Sequence, residues 1–91
     1  MKILAVCGFG VGSSLILKMT ITKALKELGL DAEVVNTDIT DAKSYRADAI
    51  FTSPQFVSDL QGSAKATLYP IHKYSDKEEV KQQLKTLFNQ N

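Results

Sequence analysis

Ile3-Leu4-Ala5-Val6-Cys7-Gly8-Phe9-Gly10-Val11-Gly12-Ser13-Ser14 is the stretch whose reading decides the fold. Its four opening residues are apolar without interruption and stop at Cys7-Gly8, which predicts a strand buried on both faces, as in parallel sheets. Gly8, Gly10 and Gly12 then predict a loop, with Ser13 and Ser14 as cap-type residues for a helix. That helix is expected to run to about Leu28, because Leu17, Ile21, Leu25 and Leu28 recur on one helical face. Gly29 stands where a helix terminates past its C-cap.

Outward from this unit the pattern repeats in shorter form. A second strand is expected over residues 32–36, around Val34-Val35. The polar stretch from Thr37 to Arg46 reads as a connection with one helical turn at residues 41–45. Ala49-Ile50-Phe51 is a third strand, ended by Ser53-Pro54, and residues 55–61 form a short helix closed by Gly62-Ser63. Residues 66–71 give a fourth strand, which Pro70 directs to a sheet edge. Ser75-Asp76-Lys77-Glu78 fits a capping box with Ser75 as N-cap, and Val80, Leu84, Leu87 and Phe88 make the apolar stripe of a last helix. Strands alternating with helices imply an α/β fold: a four-stranded parallel sheet with helices on both faces. Order 2-1-3-4 makes it a shortened flavodoxin-like sheet, similar to that of low-molecular-weight tyrosine phosphatases. Ligands in such sheets bind beyond the carboxyl ends of the strands where the order reverses, which places a site at Cys7.

The chain has 91 residues, enough for one domain over residues 1–91, and its net charge of +1 arises from 11 basic and 10 acidic residues scattered along it. That balance offers no basic patch for nucleic acid and none for an anionic membrane. One cysteine excludes an internal disulfide and a redox C-x-x-C pair, and makes Cys7 a candidate nucleophile. No metal site or cofactor is expected. No run approaches the ~20 apolar residues of a membrane span, and the opening segment is too short for a secretory signal; the expected location is the cytoplasm, without direct membrane insertion.

The loop from Cys7 to Ser14 suits phosphate. N–H groups at a helix start lack intrahelical partners, glycines let the backbone approach an anion, and the helix dipole adds partial positive charge there. The same field favours the thiolate form of a neighbouring cysteine. A cysteine at a strand end can also be a small buried hydrophobe, but the glycine loop directly behind it argues for chemistry. Tyrosine phosphatases of the low-molecular-weight family place an arginine six residues after the cysteine to clamp phosphate. Here that position is Ser13, the sole arginine is Arg46 in a distant connection, and no Asp-Pro pair supplies a general acid. A carrier needs neither, so the pattern favours transfer over hydrolysis. The dinucleotide fingerprint is met only by Gly8 and Gly10, with Ser13 in the third place and Asn36 or Asp38 as the ribose contact. No Gly-Lys-Ser/Thr ends the loop as in Walker sites. A small phosphatase and a non-catalytic anion- or nucleotide-binding module remain as alternatives. His72 reads as a solvated or locally bonded histidine, Tyr45, Tyr69 and Tyr74 as core-edge packing, and Lys77, Lys81 and Lys85 as a solvated helix face.

The run from Lys2 to Gly8, followed by Gly10, Gly12-Ser13-Ser14 and Leu15-Ile16-Leu17-Lys18-Met19, resembles the IIB proteins of the sugar phosphotransferase system, most of all the ascorbate-type members of the lactose/galactitol-like group. The resemblance implies that Cys7 receives a phosphoryl group from a phosphohistidine on a IIA protein and passes it to a sugar or sugar acid bound in a membrane IIC protein. It further implies that Gly8, Phe9, Gly10, Val11, Gly12, Ser13 and Ser14 form the phosphate-binding loop. Backbone amides would hold the phosphoryl oxygens, and the two serine hydroxyls would add hydrogen bonds.

Overall fold

The computed structural model describes residues 1–7, 12–62 and 66–89; the side chains of residues 12 and 13 are not described. In chain order the elements are β1 (Lys2–Cys7), α1 (Gly12–Leu28), β2 (Glu33–Asp38), α2 (Ile39–Ala42), β3 (Ala49–Thr52), α3 (Pro54–Leu60), β4 (Thr67–Pro70) and α4 (Lys77–Phe88). The strands form one sheet in the order β2-β1-β3-β4, with every neighbouring pair parallel. This is the predicted topology, and β4, the strand containing Pro70, lies at an edge.

Strand alternation divides the core into two layers. From β1, Ile3 and Ala5 join Ala49 and Phe51 of β3 against Leu17, Ile21, Leu25, Val80, Leu84 and Leu87 of α1 and α4. Leu4, Val6 and Ile50 face the other way, against Ala42 and Leu60 of α2 and α3. Ile3, Leu4, Ala5 and Val6 are all fully buried, which explains why their run carries no polar alternation. Phe51 meets Tyr69 with ring centroids 5.2 Å apart in a tilted arrangement. Each fully buried aliphatic or aromatic side chain here contributes about 1.5–3 kcal/mol, so the α1–α4 layer is held chiefly by apolar contact.

Several boundaries differ from the sequence reading. Strand β2 runs on to Asp38 because β1 pairs with it along its whole length, from Lys2 opposite Glu33 to Cys7 opposite Asp38. The helical turn begins at Ile39 instead of Asp41, since Asp38 caps it by accepting a hydrogen bond from the Asp41 amide at 2.8 Å. In α4 the N-cap is Asp76, one residue later than expected. Its carboxylate accepts from the amides of Glu78 and Glu79, and a carboxylate caps more strongly than the hydroxyl of Ser75 could from one step further out. Ser13 and Ser14 lie inside the first turn of α1, not at its N-cap, because the helix starts at Gly12. Gly29 does end α1, at φ +71°, and Gly62 follows α3 at φ +87°.

The lysine series on α4 is not simply solvated. Lys77 and Lys81 both reach Glu27 of α1, Lys81 at 2.7 Å. These two ammonium groups pull the Glu27 carboxyl down to about 2.

Candidate active site

Cys7 is the last residue of β1, opposite Asp38 of β2, while the β3 ladder stops one step earlier at Val6 opposite Thr52. Since β1 has β2 on one side and β3 on the other, Cys7 stands at the carboxyl edge where the strand order reverses. By alternation it shares the face of Ile3 and Ala5, the side on which α1 packs. It is 3% exposed. Five residues later α1 begins at Gly12, so its first-turn amides open toward the same edge. Ser14, in that turn, is fully buried and takes part in a polar or electrostatic interaction. Gly8, Phe9, Gly10 and Val11, the tip of the predicted phosphate loop, lie outside the described residues, as does the side chain of Ser13.

The peptide leading into Cys7 has polar partners that the sequence reading missed. The carbonyl oxygen of Val6 accepts from the Thr52 hydroxyl at 3.0 Å and from the Tyr74 hydroxyl at 3.0 Å. The Tyr74 oxygen in turn accepts from the Ser53 amide at 3.0 Å. Burial disfavours the charged phenolate and pushes the Tyr74 hydroxyl up from the ordinary tyrosine value. The neighbouring Thr52 hydroxyl and the Ser53 amide oppose that rise, and negative charge on Cys7 adds to it. The segment carrying Tyr74 is fastened to α4 by Glu79. That carboxylate accepts from the amides of His72 and Lys73 at 2.7 and 3.0 Å and pairs with His72 Nδ1 at 2.8 Å. His72 is therefore a locally bonded histidine, with its ring otherwise largely exposed. Of the three tyrosines, Tyr69 lies in the core and Tyr74 packs at its edge while also carrying a hydrogen-bonded hydroxyl, whereas Tyr45 is exposed with the Lys2 ammonium over its ring. A polar Thr52 ending an apolar run was the one signal that could have pointed here.

Arg46 sits at the opposite edge. It shares a recess with Lys2, Ala47 and Asp48, at the start of β1. Lys2 is five residue steps along β1 from Cys7, about 17 Å at the strand rise, too far for a phosphate clamp. The Asp38 carboxylate is engaged in capping α2. Among the described residues no cluster of three or more His, Cys, Asp or Glu side chains could hold a metal ion, and no helix is long and apolar enough to cross a membrane.

A parallel 2-1-3-4 sheet with helices packed on it and a cysteine at its reversal point defines a small α/β domain of the flavodoxin-like kind. A solution structure of a low molecular weight protein tyrosine phosphatase from Bacillus subtilis has the same fold, with a TM-score of 0.58 at 12% identity over 96% of this chain and 89% of that one. The family described as PTS system, Lactose/Cellobiose specific IIB subunit, matches residues 2–86. The chain belongs to this family and is a IIB component of a sugar phosphotransferase system. It is 34% identical over 86 residues to the ascorbate-specific PTS system EIIB component of Mycoplasma pneumoniae, covering 92% of this chain and 90% of that protein. Phosphotransferase activity in general, with IIA and IIC proteins as partners, goes with membership of the family.

Proposed function

We propose that Cys7 is the phosphoryl carrier of this IIB component, receiving the group from a phosphohistidine on a IIA protein and delivering it to a sugar or sugar acid held by a membrane IIC protein. The observation that carries the reading is the position of the only cysteine at the carboxyl end of β1, on the face covered by α1 and directly ahead of that helix's N-terminus. In the first step the Cys7 thiolate attacks phosphorus, the S–P bond forms and the P–N bond breaks. The imidazole nitrogen of the donor keeps the electron pair and later takes a proton from solvent. In the second step a sugar hydroxyl oxygen attacks phosphorus, its proton passes to a base on the acceptor side, and the S–P bond breaks to regenerate the thiolate. The backbone amides of residues 8–14 would bind the phosphoryl oxygens, with the Ser13 and Ser14 hydroxyls beside them.

Leu15, Ile16 and Met19 support the docking this exchange requires, because all three are large apolar side chains about half exposed on the first turns of α1. A donor protein reaching the Cys7 loop would cover them. Ascorbate is the sugar acid we propose, by similarity to the Mycoplasma pneumoniae protein, and the cytoplasm the compartment. The chain acts as one domain without cofactor. Hydrolysis finds less support, since Arg46 lies at the far edge of the sheet.

Incubation with a phosphorylated ascorbate-type IIA protein should add the mass of one phosphate to Cys7, in an acid-stable and iodine-labile form. Equal labelling of a Cys7→Ser protein would overturn the carrier reading. Turnover of an aryl phosphate with no partner present would favour a phosphatase instead, and undiminished anion affinity in Cys7→Ala without any labelling of the parent would favour a binding module.

A further inference from the structure

We propose that Tyr74 is a positioning residue for Cys7, its hydroxyl tying the end of β1 to the end of β3 at the peptide that leads into the thiol-bearing residue. The proposal deepens the carrier reading, on which it rests for its biological purpose. Its physical basis is local. The peptide that joins Val6 to Cys7 has its carbonyl oxygen held by two hydroxyls, those of Thr52 and Tyr74, each at 3.0 Å. Tyr74 also fixes the backbone just beyond β3 through the Ser53 amide. One side chain thus bridges the two strand ends that flank the site, from a segment 68 residues away in sequence from Val6.

Two consequences follow for an anion at Cys7. Donors on the Val6 oxygen offset its partial negative charge, so a thiolate on the residue that follows is less disfavoured. Thr52 alone can also keep the Val6 oxygen satisfied, which leaves the Tyr74 proton free to turn toward new negative charge on the sulfur or on a phosphoryl group it carries. The Ser53 amide keeps the phenol oxygen in place during such a turn. Glu79 holds the segment in position through the His72 and Lys73 amides. Negative charge on Cys7 pushes the Tyr74 hydroxyl further up, beside the contacts that hydroxyl makes with Val6 and Ser53.

The test compares Tyr74→Phe with the parent protein by following iodoacetamide alkylation of Cys7 across the ordinary cysteine titration range. The variant is expected to react about threefold more slowly near neutrality, with the profile moved to higher pH by about half a unit. Val80→Ala, a core truncation on α4, serves as control. It should lower the melting temperature at least as much and leave the alkylation profile where it was. A Tyr74→Phe profile that superimposes on the parent's, or that moves no further than that of Val80→Ala, overturns the proposal. If Tyr74→Phe fails to fold, titration of carbon-13-labelled tyrosine in Cys7→Ser decides the matter with Tyr74 intact. Its midpoint should fall below that of the parent, because the thiolate charge is gone, and an unchanged midpoint overturns the proposal. Alkylation needs no phosphoryl donor. A protein that shows these shifts yet is never phosphorylated would refute the carrier reading alone, and one phosphorylated normally without them would refute the role of Tyr74 alone.

Discussion

Thr52→Val and Tyr74→Phe, made singly and together, test whether the two hydroxyls act on Val6 as a unit. Thr52 is fully buried and its hydroxyl donates to the Val6 oxygen at 3.0 Å. Valine fills the same space, so Thr52→Val removes one hydrogen bond without a cavity, a loss of about 1 kcal/mol. In that variant the Val6 oxygen still has Tyr74. Tyr74→Phe removes two bonds, to Val6 and from Ser53, at a half-buried position. It should cost about 1–2 kcal/mol, with Thr52 still serving Val6. Only the double variant strips the carbonyl of both side-chain donors. Its cost should exceed the sum of the singles by about 1 kcal/mol, the coupling expected of groups that share one partner. The total, about 3–4 kcal/mol, is a large share of the stability of a small domain. Urea unfolding monitored by circular dichroism measures all three. Costs that add to within about 0.3 kcal/mol would show independent sites, and the shared-acceptor reasoning would be wrong.

Glu27 supplies a pH prediction. Its carboxyl is lowered from 4.5 to about 2 by Lys77 and Lys81, so its contribution is complete above the unfolded value and is lost as pH falls from there through about 2. Glu27→Gln should flatten the acid limb of the stability curve in that window, and molar salt should weaken the parent's dependence, because the Glu27 carboxylate is open to solvent. At the start of α4, Asp76→Ala should cost about 1 kcal/mol in thermal or urea unfolding, while Ser75→Ala costs a few tenths at most, since the cap bonds belong to Asp76. On the exposed face of α1, Ile16→Asp with Met19→Asp should slow phosphoryl transfer from a IIA donor about tenfold or more. The melting temperature should change little, because both side chains are half exposed. Unchanged transfer kinetics would remove that face from the docking surface.

The order of elements was legible because local chemistry marked it strongly. A strand with no polar residue from Ile3 to Val6 can only be central and covered on both faces. Pro70 can only sit where its missing N–H is not required, and Gly29 supplies the positive φ that ends α1. The position of Cys7 followed from the same reading, since a strand–glycine loop–helix unit in a parallel sheet has its open end at the strand's carboxyl terminus. The capping of α4 was less legible, because Ser75 and Asp76 are adjacent cap-formers and the choice depends on where the preceding segment is tethered. Glu79, bonded to the His72 and Lys73 amides, makes that tether.

By itself, the sequence determined the parallel sheet, the strand order and the cysteine at its reversal point, because burial pattern and turn chemistry are properties of neighbouring residues. Only the tertiary structure decided that Tyr74 and Thr52 meet at the carbonyl of Val6, and that Lys77 and Lys81 close on Glu27. Those partners are 46 to 68 residues apart at Val6, and 50 apart for Lys77 and Glu27. A hydroxyl or an ammonium group carries no mark of the distant partner it will find. That partner is fixed by the packing of α1, α4 and the sheet.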